Sequence, residues 1–141
     1  MSGPINDPTL GHLAWDKEFN WWTGAVELQP GQRVGLTVEA DPAAPDQRQA
    51  VALARKWLDR LRENELDYTR WTAEHLLDVR WNKEQPMTLD DIIGLIELGS
   101  VECFPDGTAN ILWEDEDVLF FGHGILTNLD ANGRCVRVEI Q

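Results

Sequence analysis

The chain has 141 residues, 43% of them apolar, and 25 acidic side chains against 12 basic ones, for a formal charge of −13. That length suits one domain burying roughly 65–70% of its extended-chain surface. The charge disfavours nucleic acid and anionic membranes; it suits plain solubility first, and a basic protein partner where there is one.

No apolar run approaches the roughly 20 residues that span a bilayer. The opening "MSGPINDPTL" has neither the basic nor the apolar region of a signal peptide. A cytoplasmic location is the expectation. Cys103 and Cys135 have no metal spacing, and a disulfide between them requires adjacent strands.

Residues 1–8 are polar with two prolines and are expected to form a flexible arm, with 9–141 as a single domain. "LGHLAWD" and "KEFNWWTGAVEL" alternate in short strands. Phe19, Trp21, Thr23 and Ala25 share one face, and Trp22 and Val26 the other. The turn signal "QPG" (Gln29 to Gly31) leads into "QRVGLTVEA", where Val34, Leu36 and Val38 recur in period two. These segments predict an N-terminal antiparallel meander of two or three strands.

Asp46 follows Pro45 and precedes Gln49 by three positions, an N-terminal helix signature. The spacing of Val51, Ala54, Trp57, Leu58 and Leu61 predicts a helix over about 47–64. A second helix is predicted from Thr69 or Thr72 to about Trp81, stopped by "NKEQP". Thr88 with Asp91 caps a third, for which Gly99 is the natural stop.

After Gly99 the period falls to two. "SVECF" and "TANILW" flank the turn "PDG". The acidic "EDED" (Glu114 to Asp117) precedes "VLFFGHGILTNL". The turn "DANG" then leads into "RCVRVEI". The expected fold is α+β: an antiparallel sheet, made of an N-terminal meander and a C-terminal four-stranded unit, with three helices inserted between the halves.

His123 stands between Gly122 and Gly124. Glycines so close in a strand pattern indicate a bulge or a close backbone approach, and a His held by a neighbouring backbone group or carboxylate is the structural expectation. "FGHGI" has the rhythm of a nucleophile elbow without its serine. "NLDANGRCVRVE" places Asn128, Asp130, Asn132, Gly133 and Glu139 near calcium-loop spacing. Extended flanks, however, carry Glu139 some 15 Å or more from Gly133. The four adjacent acids of "EDED" alternate in direction, which suits a solvated loop or a partner-facing patch better than a metal. No phosphate-binding or dinucleotide-binding pattern is present, and no cofactor is expected.

Leu10–Gly11, Phe19 to Gly24, Trp81–Asn82, "TLDDI", Phe120 to Ile125 and Asp130 to Gly133 follow one another in an order that resembles a family of uncharacterised bacterial domains of unknown function. That family closes on an F-(W/G)-G-H strand and a D-x-(D/N)-G turn. The chain departs from the pattern at "RWNKE", where Asn precedes Trp in the family, and at Phe121, where the family has Trp. The resemblance implies an α+β fold in a bacterial cytoplasm, and it carries over no catalytic residue.

The function expected from all this is a non-enzymatic protein-binding module, immunity-like or adaptor-like, facing a basic partner. Its surface would include His123, Glu114, Asp115, Glu116, Asp117, Trp113 and Trp22. A small enzyme using His123 with a carboxylate in an aromatic pocket is one alternative, and a calcium-stabilised module another. Nothing in the pattern selects an oligomeric state.

Overall fold

The computed structural model describes residues 3–43, 46–78, 86–115 and 124–141. Four strands come first: β1 (Ile5–Asp7), β2 (Gly11–Asp16), β3 (Trp21–Gln29) and β4 (Gln32–Glu39). Two helices follow, α1 (Gln47–Leu77) and α2 (Leu89–Leu95). Then come β5 (Glu97–Cys103), β6 (Ala109–Glu114), β7 (Ile125–Leu129) and β8 (Cys135–Ile140). All eight strands form one sheet in the order β1 to β8. Ile5, within the stretch expected as an arm, is 3% exposed, and β1 pairs with β2.

Two features correct the expected fold. Neighbouring strands are antiparallel except β4 and β5, which run parallel, with Leu36 opposite Val101 and Val38 opposite Cys103. The described residues hold two helices, not three. The segment read as two helices is a single one of 31 residues. Parallel neighbours need a crossover that returns the chain to its starting end. Here that crossover runs through α1 and α2, between the end of β4 at Glu39 and the start of β5 at Glu97.

The reason α1 does not break is visible in its buried side: Ala54, Trp57, Leu58, Leu61, Tyr68, Thr72, Ala73 and Leu76. Tyr68 and Thr72 occupy core positions as polar residues, so an apolar-only reading sees a gap on the buried side between Leu61 and Ala73. No Gly or Pro falls inside the helix. Asn64 donates to the Arg60 carbonyl and Thr69 to the Glu65 carbonyl, so both polar side chains are satisfied within it. Asp46 caps the start, accepting from the Arg48 and Gln49 N–H groups.

Helix α1 crosses the sheet from one edge to the other. Near its start Gln47 donates to Gly3 O and Arg55 pairs with Asp7 at 2.6 Å. Midway Arg62 donates to Leu28 O at 2.7 Å. On the side towards β8, Arg60 reaches Ala131 O and Tyr68 donates to Gly133 O at 2.8 Å. The core lies under it and includes Trp22, Leu36, Val38, Val101, Ile111, Ile125 and Leu129. Short α2 carries the expected capping box of Thr88 and Asp91, and Ile92 joins the same core. Gly99 does not cap it. Helix α2 ends at Leu95, and Gly99 sits at the bulge between Leu98 and Ser100 of β5.

Candidate functional site: the sheet face away from the helices

Side chains alternate across a strand, so the core row fixes what faces the other way. Thr127 bonds to Thr72 of α1, so its neighbours Leu126 and Asn128 point away from the helices. Following the register across the sheet gives an outer row of Thr23, Thr37, Glu102, Asn110, Asn128 and Arg137. A second outer row reads Ala25, Gly35, Ser100, Leu112, Leu126 and Glu139.

A polar ladder runs along the first row. Arg137 Nε donates to Asn128 Oδ1 at 2.7 Å, and Asn128 Nδ2 donates to Asn110 Oδ1 at 2.6 Å. Arg137 also pairs with Glu139 at 2.9 Å. Glu102 is next along the row. Partial burial, and then the Glu39 carboxylate, raise its pKa above the ordinary carboxyl value. This outer face carries Glu27, Glu39, Glu97, Glu102, Glu114 and Glu139 against Arg33 and Arg137. Several of the basic side chains lie instead on α1.

At one end of this face Glu97 stands directly opposite Glu114 across β5 and β6. Like charges in that position repel. Glu114 lies over Gly99, whose missing side chain leaves it room: a Cβ there would come within 2.7 Å of Glu114 Cγ. Glu97, Glu114 and buried Asp115 line a cleft of about 410 Å³ with Gly94, Leu95 and Ile96 at the end of α2. A second hollow of about 490 Å³, lined by Met87, Asp90 and Asp91, shares Gly94 and Leu95 with it. The two together form an acidic groove with an apolar floor. Its described lining contains no basic residue. Among the described residues no group of three His, Cys, Asp or Glu side chains could hold a metal ion.

Of the residues expected at a functional surface, Glu114 and Asp115 reach this groove. Trp22 and Trp113 are in the core, 0% and 5% exposed. Trp22 Nε1 donates to Gly3 O, and Trp113 Nε1 donates to Thr127 Oγ1. Glu116, Asp117 and His123 lie outside the described residues, as do Trp81–Asn82 and Phe120 to Gly122 of the motif pattern.

The residues with calcium-loop spacing are engaged separately. Asn128 belongs to the ladder and Glu139 to Arg137. Asp130 Oδ1 accepts the N–H groups of Asn132 and Arg134 in the β7–β8 turn, and the Arg134 bond leads in lowering its pKa. His75 is exposed and stacks on Trp71 with ring centroids 3.7 Å apart.

Sequence reasoning missed Glu97, Glu39 and Glu102 as neighbours of this surface. Each has the outward parity of its strand, which alternation alone exposes. Only the strand order puts Glu97 against Glu114, or Glu39 near Glu102.

A family model described as "Uncharacterized protein conserved in bacteria (DUF2262)" matches residues 7–140. No curated protein and no solved structure matches the chain. Among the described residues no helix is long and apolar enough to cross a membrane.

Proposed function

The chain belongs to this bacterial DUF2262 family, and on that footing we propose that it is a non-enzymatic protein-binding module for a basic partner, which docks at the acidic groove between α2 and the β5–β6 end of the sheet. The observation that carries this reading is the opposition of Glu97 and Glu114 in a groove without described bases. A like-charge pair with no base among the described lining costs stability in the free protein. A guanidinium or ammonium group entering the cleft turns that repulsion into two charge-assisted contacts. Leu95, Ile96 and Met87 supply apolar floor beneath a charged rim, the usual anatomy of a docking surface. An immunity-like or adaptor-like role fits an acidic protein of this size, and a cytoplasmic location fits such a role.

The test is affinity capture from a bacterial lysate at low salt, with wild-type protein and the E97K/E114K variant side by side. The expected result is a basic protein held in stoichiometric amount by wild type, released by salt and absent from the variant. Equal capture by both proteins, or no basic protein on either, overturns the proposal.

A further inference from the structure

At the other end of the same sheet face, about 16 Å along β5 from Glu97, lies a different chemical arrangement. Phe19 and Trp21 stack with ring centroids 4.8 Å apart and planes 16° from parallel. Phe19 is 55% exposed, in a protein whose other described phenylalanine, Phe104, is half-buried. The turn before β3 holds the pair. Asp16 Oδ1 accepts the N–H groups of Glu18 and Phe19, and Asn20 takes the left-handed conformation at φ 57°. Trp21 stands opposite Glu39 in the register, while Thr37, two residues before Glu39, stands opposite Glu102. Glu39 and Glu102 are close enough for one to hinder ionisation of the other.

We propose that the Phe19–Trp21 ring pair, with Glu39 and Glu102, forms a docking spot for a lysine or arginine side chain of a partner protein. The inference rests on the basic-partner reading above and adds a second contact with its own chemistry. Aromatic faces attract cations through the ring quadrupole, and guanidinium groups stack on them well. Two carboxylates on the same face supply the charge complement. A rigid aromatic pair offers large contact area at small entropic cost, as interface hot spots do. An apolar partner would leave both carboxylates desolvated and unpaired, which selects the cationic occupant. Lys17, in the same turn, is the intramolecular competitor, and it enters no ion pair among the described residues.

The experiment is a nuclear magnetic resonance titration of the full chain with a nona-arginine peptide, and with a nona-glutamate peptide as control. The indole N–H signal of Trp21 is expected to shift saturably with the arginine peptide only. Phe19→Ala, at an exposed position that should not disturb folding, is expected to weaken that response roughly two- to fivefold. The E39Q/E102Q variant should weaken it as well, while E97Q/E114Q leaves it in place. If the arginine peptide binds and moves Gly94 and Leu95 signals while Trp21 stays still and Phe19→Ala is silent, this docking spot is overturned and the groove reading stands. If the arginine peptide does not bind, or binds no better than the glutamate peptide, both fall.

Discussion

The hydroxyl oxygens of Thr72 and Thr127 lie 2.7 Å apart in the buried seam between α1 and β7, and Trp113 Nε1 donates to Thr127 Oγ1 at 2.9 Å. These three polar groups satisfy one another where water does not reach, since Thr72 and Thr127 are 0% exposed. Thr127→Val keeps the shape but removes the shared oxygen, which orphans the Trp113 N–H and a Thr72 bond. The expected cost is about 2–3 kcal/mol, read as a lower midpoint in urea unfolding with an unchanged slope. A loss under about 0.5 kcal/mol would show that the network adds little beyond packing.

Two glycines make contrasting predictions. A Cβ on Gly24 would sit 2.8 Å from His12 O and from Leu13 Cδ2, against the backbone and core of β2. Gly24→Ala is expected to cost about 2 kcal/mol or more through overpacking. The three atoms nearest a Cβ on Gly99 all belong to the Glu114 side chain, Cγ at 2.7 Å first, and a side chain can turn aside where backbone cannot, so Gly99→Ala should cost less than Gly24→Ala. Equal effects in thermal unfolding would contradict this account of the two contacts.

Gly133 has φ +83°, and a Cβ there would lie 3.2 Å from both Tyr68 Oη and Arg60 Cδ. Gly133→Ala therefore combines backbone strain with crowding of the bond by which Tyr68 ties α1 to the β7–β8 turn. About 1 kcal/mol or more of destabilisation is expected. A neutral result in denaturant titration would dismiss the turn as an anchor.

The two thiols should be inert. Burial pushes Cys103 up to about 12 and leads in raising Cys135 to about 11. They belong to one row of the sheet but are separated by β6 and β7, through Ala109 and Leu129. Three inter-strand spacings amount to about 14 Å, beyond the reach of a disulfide. Labelling with a thiol reagent at pH 8 should be slow in the native protein and complete in denaturant. Rapid native labelling of Cys103 would contradict its burial.

Glu102 carries a pH signature with a definite sign. Its folded pKa is raised, by burial first and by Glu39 second, above the ordinary value of 4.5. Below that value the folded and unfolded chains both hold the proton. As the pH rises the unfolded chain releases it first, so the ionised group lowers stability until the folded pKa is passed. Glu102→Gln should raise the melting temperature at neutral pH, with the gain disappearing as the pH falls below 4.5. A gain that persists in acid would assign the effect to something other than ionisation.

Much of the local structure was legible in the chain itself. The caps at Asp46 and Thr88, the turns at "QPG", "PDG" and "DANG", and the opposite faces of Trp21 and Trp22 all follow from residue type and period. Each depends on a few neighbouring residues, so the sequence carries it without help. The single helix was not legible, because Tyr68 and Thr72 fill core positions with polar groups whose partners, Gly133 and Thr127, lie far along the chain. Nor was the parallel junction of β4 with β5, which depends on where the whole crossover between them returns the chain.

The candidate site divides in the same way. Its acidity and the exposure of Glu114 were readable from composition and alternation. That Glu97 faces Glu114, that Glu39 lies near Glu102, and that Trp113 turns inward to Thr127 depend on the order and register of strands. Period tells which side of a strand a residue occupies. Which residue stands beside it is set by pairings between distant segments, and those are decided only when the whole core packs.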